Sequence, residues 1–343
     1  MKSLDLFTGI GGMALHLPFE PVMYCEIDPY VRTILERRIK SGDLHDAPIW
    51  DDISTLDPPD HDILLGGFPC QDISSMGLKK GFSGTRSSLY FEILRIVKLK
   101  HPKQVFLENV RNILNMPGCW HAVLKTLHAE GYDMRWCIMN VHNVGGTHRR
   151  ARWFLLGNLR ETPCDAEMCD LPAKMSKFGS CIRGKYTELR DPKLPVHRMS
   201  EPLVFNKIPG VKCRGEIIET MTRYAWSTPR VAGCRACRNL TQRGASDLPS
   251  QARFEQHTKH RHMNINLRWL ETLMGLPGGW TDNECEHVEA FPGFGKEIYD
   301  RMKPDKDADG NRVQKNYYKR WKTMGNMCVP QVSQLAYSYL IKI

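Results

Sequence analysis

Short apolar runs alternate with amphipathic segments along the first 160 residues of the chain. Six runs have the length and composition of β-strands: Ser3–Phe7, Val22–Ile27, Asp62–Gly66, Gln104–Leu107, Met134–Val141 and Arg152–Gly157. Three segments between them repeat apolar residues at helical spacing: Pro29–Ile39, Ser88–Leu99 and Trp120–Glu130. Strands that alternate with helices build βαβ units, so the pattern predicts an α/β fold with a doubly wound, Rossmann-like sheet. The last two strands follow one another closely, which predicts an antiparallel hairpin at one edge of a mixed sheet.

The helical period fades between about residues 160 and 265, where Pro, Gly and Arg are spread through irregular sequence. This segment holds 19 Lys and Arg residues against 11 Asp and Glu residues, which accounts for most of the net charge of +10 on the whole chain. Aromatic residues are interleaved with the basic ones, and helical periodicity returns at Asn266–Met274 and Val332–Ile341. We therefore predict an α/β domain formed by residues 1–159 and 281–343, with a smaller, irregular domain of residues 160–280 inserted into it.

The composition of the 343 residues argues against several classes of protein. No apolar run approaches the roughly 20 residues that span a bilayer, so no membrane association is expected. The segment Leu4–Phe7 already has the character of a first strand, which argues against a signal peptide. The 12 cysteines are scattered irregularly, as in reduced intracellular proteins. The basic balance favours a polyanionic partner.

A glycine-rich turn follows the first predicted strand, in the sequence Phe7-Thr8-Gly9-Ile10-Gly11-Gly12, and a short helix is predicted after it. Glycines let a ligand approach the backbone, and a helix N-terminus offers free N–H groups. Glu26 ends the second strand, where such folds bind ribose hydroxyls. After a third strand end, Ile53 is expected to cap an adenine ring and Asp52 to accept its exocyclic amine. This pattern alone does not distinguish a dinucleotide from S-adenosylmethionine.

Cys70 follows the strand Asp62–Gly66 at its carboxyl end, where ligands bind in open α/β sheets. Pro69 precedes it and the pair Gly66-Gly67 lies just upstream, so the thiol is expected to be held out of the core. A cysteine in such a fold is often simply a buried apolar residue. The flanking sequence and the strand end favour a nucleophile over that alternative.

Six groups of segments resemble, in order and spacing, the motifs of the cytosine-5 DNA methyltransferase family, and the resemblance extends over nearly the whole chain. They are Phe7–Gly12, Pro69-Cys70-Gln71 with Gly81–Leu89, Glu108-Asn109-Val110, His148–Arg152, Leu267–Trp280, and Gly325-Asn326 with Val329-Pro330. His148 and Ala151 stand where the family usually has Gln and Glu, and the last motif contains Met327-Cys328 before Val329. The resemblance implies methyl transfer from S-adenosylmethionine to carbon 5 of cytosine in DNA.

The resemblance also implies the roles of the catalytic residues. Cys70 is the nucleophile that adds to carbon 6 of cytosine, which makes carbon 5 nucleophilic. Glu108, in a protonated or proton-sharing form with a raised pKa, contacts N3 and the exocyclic amine. Arg152 contacts the O2 carbonyl and Arg150 helps to hold the constellation. Asn109 fixes the turn or orients Cys70.

S-adenosylmethionine is the implied cofactor, and the residues expected to bind it are Phe7, Thr8, Gly9, Gly11, Gly12, Glu26, Ile27, Asp52, Ile53, Pro69, Leu89, Asn326 and Val329. Double-stranded DNA is the implied partner, contacted by Gln71, Ser74 and Arg86 while the target base is flipped out of the stack. Residues 160–280 are expected to read the target sequence in the major groove.

We expect an intracellular monomer, in the cytoplasm of a bacterium or an infected cell or in a eukaryotic nucleus. Restriction–modification is its expected context.

Cys234 and Cys237, followed by His257 and His260, have some likeness to a zinc finger. The pairs are separated by 19 residues, whereas a finger has about 12. We therefore predict no metal site and keep zinc as the alternative to a basic, DNA-facing loop.

Three other functions remain open on the sequence alone: a catalytically silent DNA-binding relative, an RNA cytosine-5 methyltransferase of the same family, and an NAD-dependent enzyme on the same fold. The complete set of Cys70, Glu108, Arg150 and Arg152 argues against the silent relative. The long basic segment argues against the RNA enzyme, and Pro69-Cys70-Gln71 has no purpose in the NAD enzyme.

Overall fold

The computed structural model describes residues 1–69, 89–115, 119–146, 148, 150–161, 267–291 and 316–342. Its strands are β1 (Lys2–Leu6), β2 (Glu20–Cys25), β3 (Ile49–Trp50), β4 (Ile63–Gly67), β5 (Gln104–Val110), β6 (Tyr132–Met139) and β7 (Arg152–Leu159). Its α-helices are α1 (Pro29–Lys40), α2 (Leu89–Lys100), α3 (Cys119–Ala129), α4 (Leu267–Leu273), α5 (Tyr317–Asn326) and α6 (Pro330–Leu340). Short 3₁₀ helices lie at Ile53–Thr55, Arg111–Asn115 and Val141–Val144.

The described strands form one sheet in the order β3-β2-β1-β4-β5-β7-β6. Neighbours from β3 to β5 are parallel, whereas β7 runs antiparallel to both β5 and β6. The chain winds outward from β1 to β3 and then returns to β4 on the other side of β1, which creates a topological switch point. The predicted α/β class is confirmed, with a doubly wound mixed sheet and an antiparallel hairpin at one edge.

Helices cover both faces of this sheet and form two apolar cores. On one face, Ile93 of α2 and Val123 of α3 pack with Leu4 and Leu6 of β1. On the other face, α1, α4, α5 and α6 share a core with the alternate residues of the central strands. β4 is buried on both faces and its sequence has no polar side chain, as is typical of parallel sheets. β1 and β5 are also largely buried but include polar residues, among them Asp5 and Glu108.

The glycine-rich segment after β1 differs from its prediction. β1 ends at Leu6 because Phe7 takes a left-handed φ of 54°. The predicted short helix is wrong, because the chain after Phe7 makes a series of turns as far as Leu17. Gly9 and Gly11 have φ values of 57° and 83°, which a right-handed helix does not contain.

Residues 267–280, which we predict to close the inserted domain, pack into the α/β core. Leu270, Leu273 and Trp280 are buried in the same cluster as Val332 and Leu335 of α6. The boundary at residue 280 stays a prediction. Residues 162–266, which make up most of that domain, lie outside the described residues, and its organisation stays a prediction.

The possible zinc ligands Cys234, Cys237, His257 and His260 also lie outside the described residues. Within the described ranges, no three or more His, Cys, Asp or Glu side chains are placed to hold a metal ion. The same ranges contain no helix with the length and apolar character that a membrane span requires.

Candidate active site

The candidate site lies where four parallel neighbours, β1, β2, β4 and β5, reach their carboxyl ends. β1 leads into the glycine turn, β2 into Glu26, and β4 into Phe68-Pro69, while Glu108 and Asn109 lie near the end of β5. Doubly wound sheets bind ligands at this edge, beside the switch point. The sheet therefore brings together residues that are as much as 100 positions apart in the sequence.

The glycine turn (Phe7–Gly12) is fixed to β1 and β2 by hydrogen bonds. The hydroxyl of Thr8 donates to the carbonyl of Asp5 at 2.8 Å, and the N–H of Thr8 donates to the carbonyl of Cys25 at 3.0 Å. The N–H of Gly9 donates to the Glu26 carboxylate at 2.8 Å. The acidic tip of β2 thus contacts the turn directly, as a nucleoside site on this fold requires.

The segment before α6 closes the turn from the other side. The carbonyl of Cys328 lies so near Gly12 that a Cβ on this glycine would clash with it. Val329 is 2% exposed in the same core, whereas Asn326 is exposed at the end of α5. The hydroxyl of Ser333 donates to the carbonyl of Met13 at 2.8 Å.

Ile27 and Asp52 offer ligand-binding groups at the ends of β2 and β3. Ile27 is 70% exposed beside Glu26, so its side chain is accessible to a ligand. Asp52 accepts the N–H of Ser54 at 2.9 Å, and this bond is the main cause that lowers the pKa of Asp52. Ile53 is 5% exposed and belongs to the core, so Ile27 is the exposed apolar surface of the two.

Glu26 has two opposing influences on its charge. Burial raises the pKa of its carboxyl group, while the N–H groups of Asp28 and Gly9, each 2.8 Å from a carboxylate oxygen, lower it. The net pKa is above its ordinary value. The carboxyl group is therefore positioned by backbone donors on both sides before any ligand arrives.

Glu108 and Arg152 form a buried ion pair between β5 and β7, with 2.8 Å between Oε1 and Nε. The Glu108 side chain is 11% exposed and that of Arg152 is 15% exposed. Burial raises the pKa of Glu108, and the positive charges of Arg152 and Arg150 only partly oppose this rise. The second carboxyl oxygen faces Gly67, where a Cβ would lie 3.2 Å from it. One oxygen is thus fixed by an arginine and the other lies beside the strand end that leads to Cys70.

Arg150 connects β7 to the chain segment before α6. Its Nη2 donates to the carbonyls of Gly325 at 2.9 Å and Met327 at 2.6 Å. Burial, followed by the charge of Arg152, lowers the pKa of Arg150 to about 9. The group stays charged at neutral pH and positions the segment against which Gly12 packs.

Asn109 holds the chain just before Cys70. Its Nδ2 donates to the carbonyl of Phe68 at 2.9 Å, and its Oδ1 accepts the N–H of Val110 at 2.8 Å. Pro69 is exposed beyond this contact, and Leu89 is half-buried at the start of α2. Cys70, Gln71, Ser74 and Arg86 lie outside the described residues, so their placement stays a prediction.

Asp5 lies in β1 directly before the glycine turn and is 1% exposed. Neither carboxyl oxygen has a hydrogen-bond partner within the described part of the chain. Burial, followed by the nearby charge of Glu26, raises the pKa of Asp5 to about 8. A neutral, proton-bearing acid therefore lies beneath the cofactor edge at physiological pH.

His148, which stands where the family usually has Gln, is fully buried. Neither ring nitrogen has a partner among the described residues. Burial, followed by the charge of Arg150, lowers the pKa of His148 to about 3, so the imidazole is neutral in the folded chain. The packing around Arg150 thus tolerates an aromatic, uncharged ring at this position.

Several site residues were not identified from the sequence: Trp280, Cys328 and Ser333. Trp280 contacts the glycine turn through its indole N–H, and Cys328 through its backbone carbonyl. Ser333 contacts the next residue, Met13, through its hydroxyl. Such contacts leave no sequence pattern, because a carbonyl belongs to every residue type. The motif around Trp280 carried a signal, but we assigned it to the inserted domain.

Comparison with known proteins places the chain in a family. The profile of the family described as C-5 cytosine-specific DNA methylase matches residues 1–283. Type II methyltransferase M.NgoBI of Neisseria gonorrhoeae is 38% identical over 166 residues, which are 46% of this chain and 50% of the relative. Type II methyltransferase M1.ScrFI of Lactococcus lactis subsp. cremoris is 35% identical over 199 residues, 54% of this chain and 50% of the relative. The chain spans about half the length of the curated relatives it matches.

Solved structures agree with the fold. Dnmt2 methyltransferase of S. pombe covers 100% of this chain and 98% of its own, with a TM-score of 0.55 at 16% identity. A mutant DNMT2 of Spodoptera frugiperda covers 99% of both chains, with a TM-score of 0.56 at 14% identity. At these identities the similarity shows the fold alone. Because the family profile extends over 283 of the 343 residues, the chain belongs to the C-5 cytosine-specific DNA methylase family.

Proposed function

We propose that this chain transfers a methyl group from S-adenosylmethionine to carbon 5 of a flipped cytosine in a specific double-stranded DNA sequence, through a covalent adduct with Cys70. The observation that supports this most directly is the buried pair of Glu108 and Arg152, 2.8 Å apart at the end of β5. Burial raises the pKa of this carboxyl group, which favours its proton-bearing form, and the guanidinium beside it supplies a cation. This combination matches N3 and O2 of a cytosine ring.

The chemistry assigns a separate task to each group. The Cys70 thiolate adds to carbon 6 while protonated Glu108 contacts N3, so electron density develops at carbon 5. Arg152 holds the O2 carbonyl. S-adenosylmethionine, when bound, would supply the methyl group: a bond forms from carbon 5 to the methyl carbon, the sulfur–methyl bond breaks, and S-adenosylhomocysteine leaves. A base, for which water suffices, then removes the proton from carbon 5. The electron pair of that C–H bond expels the Cys70 thiolate and restores the ring.

The residues at the cofactor edge fit S-adenosylmethionine. Glu26 is fixed by two backbone donors at the tip of β2, where a ribose hydroxyl is expected. Ile27 offers its exposed side chain to an adenine ring, and Asp52 offers a carboxylate to the exocyclic amine. Gly9 is partly exposed in the glycine turn, and its backbone is proposed to face the methionine part of the molecule.

Arg150 and Asn109 act as positioning residues in this proposal. Asn109 fixes the Phe68 carbonyl two residues before Cys70, and Arg150 fixes the carbonyls of Gly325 and Met327. Gln71, Ser74 and Arg86 are proposed to contact the DNA around the extruded base. The basic residues between 160 and 266 are proposed to read the target sequence, with a monomer as the acting unit.

Bisulfite sequencing tests this function. Unmethylated plasmid is incubated with the full chain and S-adenosylmethionine, with Cys70→Ser as the matched control. Protected cytosines in one common context, absent with the control, are the expected result. If the wild-type chain binds S-adenosylhomocysteine but protects no cytosine, the proposal is wrong. RNA incubated in parallel then separates an RNA methyltransferase from a catalytically silent DNA-binding relative.

A further inference from the structure

The indole of Trp280 contacts the middle of the glycine turn. Its Nε1 donates to the carbonyl of Ile10 at 2.9 Å, across 270 positions of sequence. Trp280 is 2% exposed and Ile10 is 1% exposed, so water does not replace this bond when it is lost. A buried carbonyl that loses its donor is unfavourable, because nothing compensates for its lost hydration. The conformation of the turn therefore depends on a residue far outside the turn itself.

A buried carboxylate fixes the backbone on both sides of Trp280. Glu271 is fully buried and accepts the N–H of Gly279 at 2.6 Å and the N–H of Thr281 at 2.8 Å. Its charge is balanced by Arg320 of α5, whose Nη2 lies 3.0 Å from Oε1. The same guanidinium donates to the hydroxyl of Thr281 at 2.9 Å. The backbone that carries the indole is thus held in place from both sides.

Helix α1 completes this support. The guanidinium of Arg38 lies over the Trp280 ring, 5.9 Å from its centroid, and donates to the carbonyls of Asp282 and Cys285. Arg38 is fully buried and paired with Asp43 at 3.0 Å. One face of the indole ring is therefore covered by a guanidinium that is itself held in place. This contact leaves the indole little freedom to rotate.

The glycine turn has few internal means of keeping its shape. Phe7, Gly9 and Gly11 have positive φ values, and the turns that follow contain no regular helix. Its geometry is therefore set by contacts with other parts of the chain. Among these, the hydrogen bond from Trp280 is made to the carbonyl of Ile10, in the middle of the turn. We propose that Trp280 is a positioning residue for cofactor binding: the Glu271–Arg320 pair places its indole, and the indole holds the glycine turn in its ligand-binding shape.

The inference rests on the proposed binding of S-adenosylmethionine at this turn. The alternative is that Trp280 only fills the core. The two are separated by a substitution that removes the N–H donor and keeps an aromatic ring, Trp280→Phe. Trp153→Phe is the matched control, because Trp153 is also fully buried but its indole N–H has no acceptor within the described residues. Its ring lies in the core on the opposite face of the sheet.

The measurement is the affinity for S-adenosylhomocysteine by calorimetry, with the thermal unfolding midpoint recorded for each variant. We expect Trp280→Phe to bind about tenfold more weakly, which corresponds to about 1.4 kcal/mol, and Trp153→Phe to stay within about twofold of wild type. Amide hydrogen exchange of residues 9–13 should be faster in Trp280→Phe alone. In the active enzyme, KM for S-adenosylmethionine should rise while KM for DNA stays unchanged.

Equal affinity and equal exchange in wild type and Trp280→Phe would overturn the inference, as would an equal loss in both tryptophan variants. If Trp280→Phe does not fold, Glu271→Gln replaces it. Faster exchange at residues 9–13 with weaker binding supports the inference, and no change in either contradicts it. If the wild-type chain itself does not bind S-adenosylhomocysteine, the proposed function fails first, so the two failures are distinguishable.

Discussion

Replacing Asp5 by Asn should stabilise the protein, and the gain should grow with pH. The folded chain holds Asp5 protonated because burial and the charge of Glu26 raise its pKa from 3.8 to about 8. The unfolded chain loses this proton near pH 4, so the folded state loses stability as the pH rises from about 4 to 8. At pH 7 the difference spans about three pH units, and at 1.36 kcal/mol per unit it costs about 4 kcal/mol. Asn resembles the protonated acid in shape and has no proton to lose.

Urea unfolding at pH 5, 6, 7 and 8 measures this effect in wild type and Asp5→Asn. The advantage of the variant should increase by about 1.4 kcal/mol for each pH unit up to pH 7 and level off above pH 8. Other titrating groups, such as His148 and Glu108, are common to both chains and cancel in the difference. Asp57→Asn, at an exposed position, is the control and should shift stability by less than about 0.5 kcal/mol. A difference between Asp5→Asn and wild type that is constant from pH 5 to pH 8 would refute the reasoning.

Three further predictions concern the site itself. DNA with 5-fluorocytosine at the target should form a covalent adduct with the wild-type chain that survives denaturing electrophoresis, because fluorine does not leave carbon 5 as a proton does; an adduct with Cys70→Ser would contradict the role of Cys70. Arg150→Lys should destabilise the chain by about 2–3 kcal/mol in urea unfolding, since the lysine side chain is one atom shorter and its ammonium does not reach the place from which Nη2 donates to the carbonyls of Gly325 and Met327. A variant as stable as wild type would show that this contact contributes little. His148 has a folded pKa of about 3, so the unfolded chain takes up the proton first as the pH falls through about 6.5, and stability is lost in that direction. Between pH 8 and pH 5 the wild type should therefore lose about 2 kcal/mol more than His148→Gln, and parallel curves for the two chains would exclude this effect.

The central strands were predictable because their buried apolar residues, such as Ile63–Leu65 of β4 and Val105–Leu107 of β5, form short runs within more polar sequence. Strand β3 and helix α5 could not be predicted from the sequence, and the structure shows why. β3 has two residues, too few to show any period. Helix α5 was missed because it buries Arg320 and Thr323 beside Trp321 and Met324, so its inward face is partly polar. Charge pairing with Glu271, together with the apolar side chains of Trp321 and Met324, brings that face into the core.

The site also contains residues that the sequence indicates and contacts that it does not. Glu108, Arg150, Arg152 and Asn109 could be singled out because their motifs specify residue types, and the structure brings their side chains to one edge of the sheet, while their catalytic roles stay predictions. The contacts that shape the glycine turn were not identified. They depend on the backbone carbonyls of Ile10, Met13 and Cys328, whose positions follow from the tertiary structure and not from residue type.

The long-range contacts of the glycine turn have a consequence for protein synthesis. Met13, directly after the turn, leaves the ribosome 320 residues before Ser333, whose hydroxyl binds its carbonyl. Trp280 also emerges late, so the early sheet forms without the groups that shape its ligand-binding turn. A nascent chain released before α6 should therefore expose an apolar face and bind no cofactor. Incomplete translation products are thus expected to be both inactive and prone to aggregation, and the cofactor should stabilise only chains that include α6.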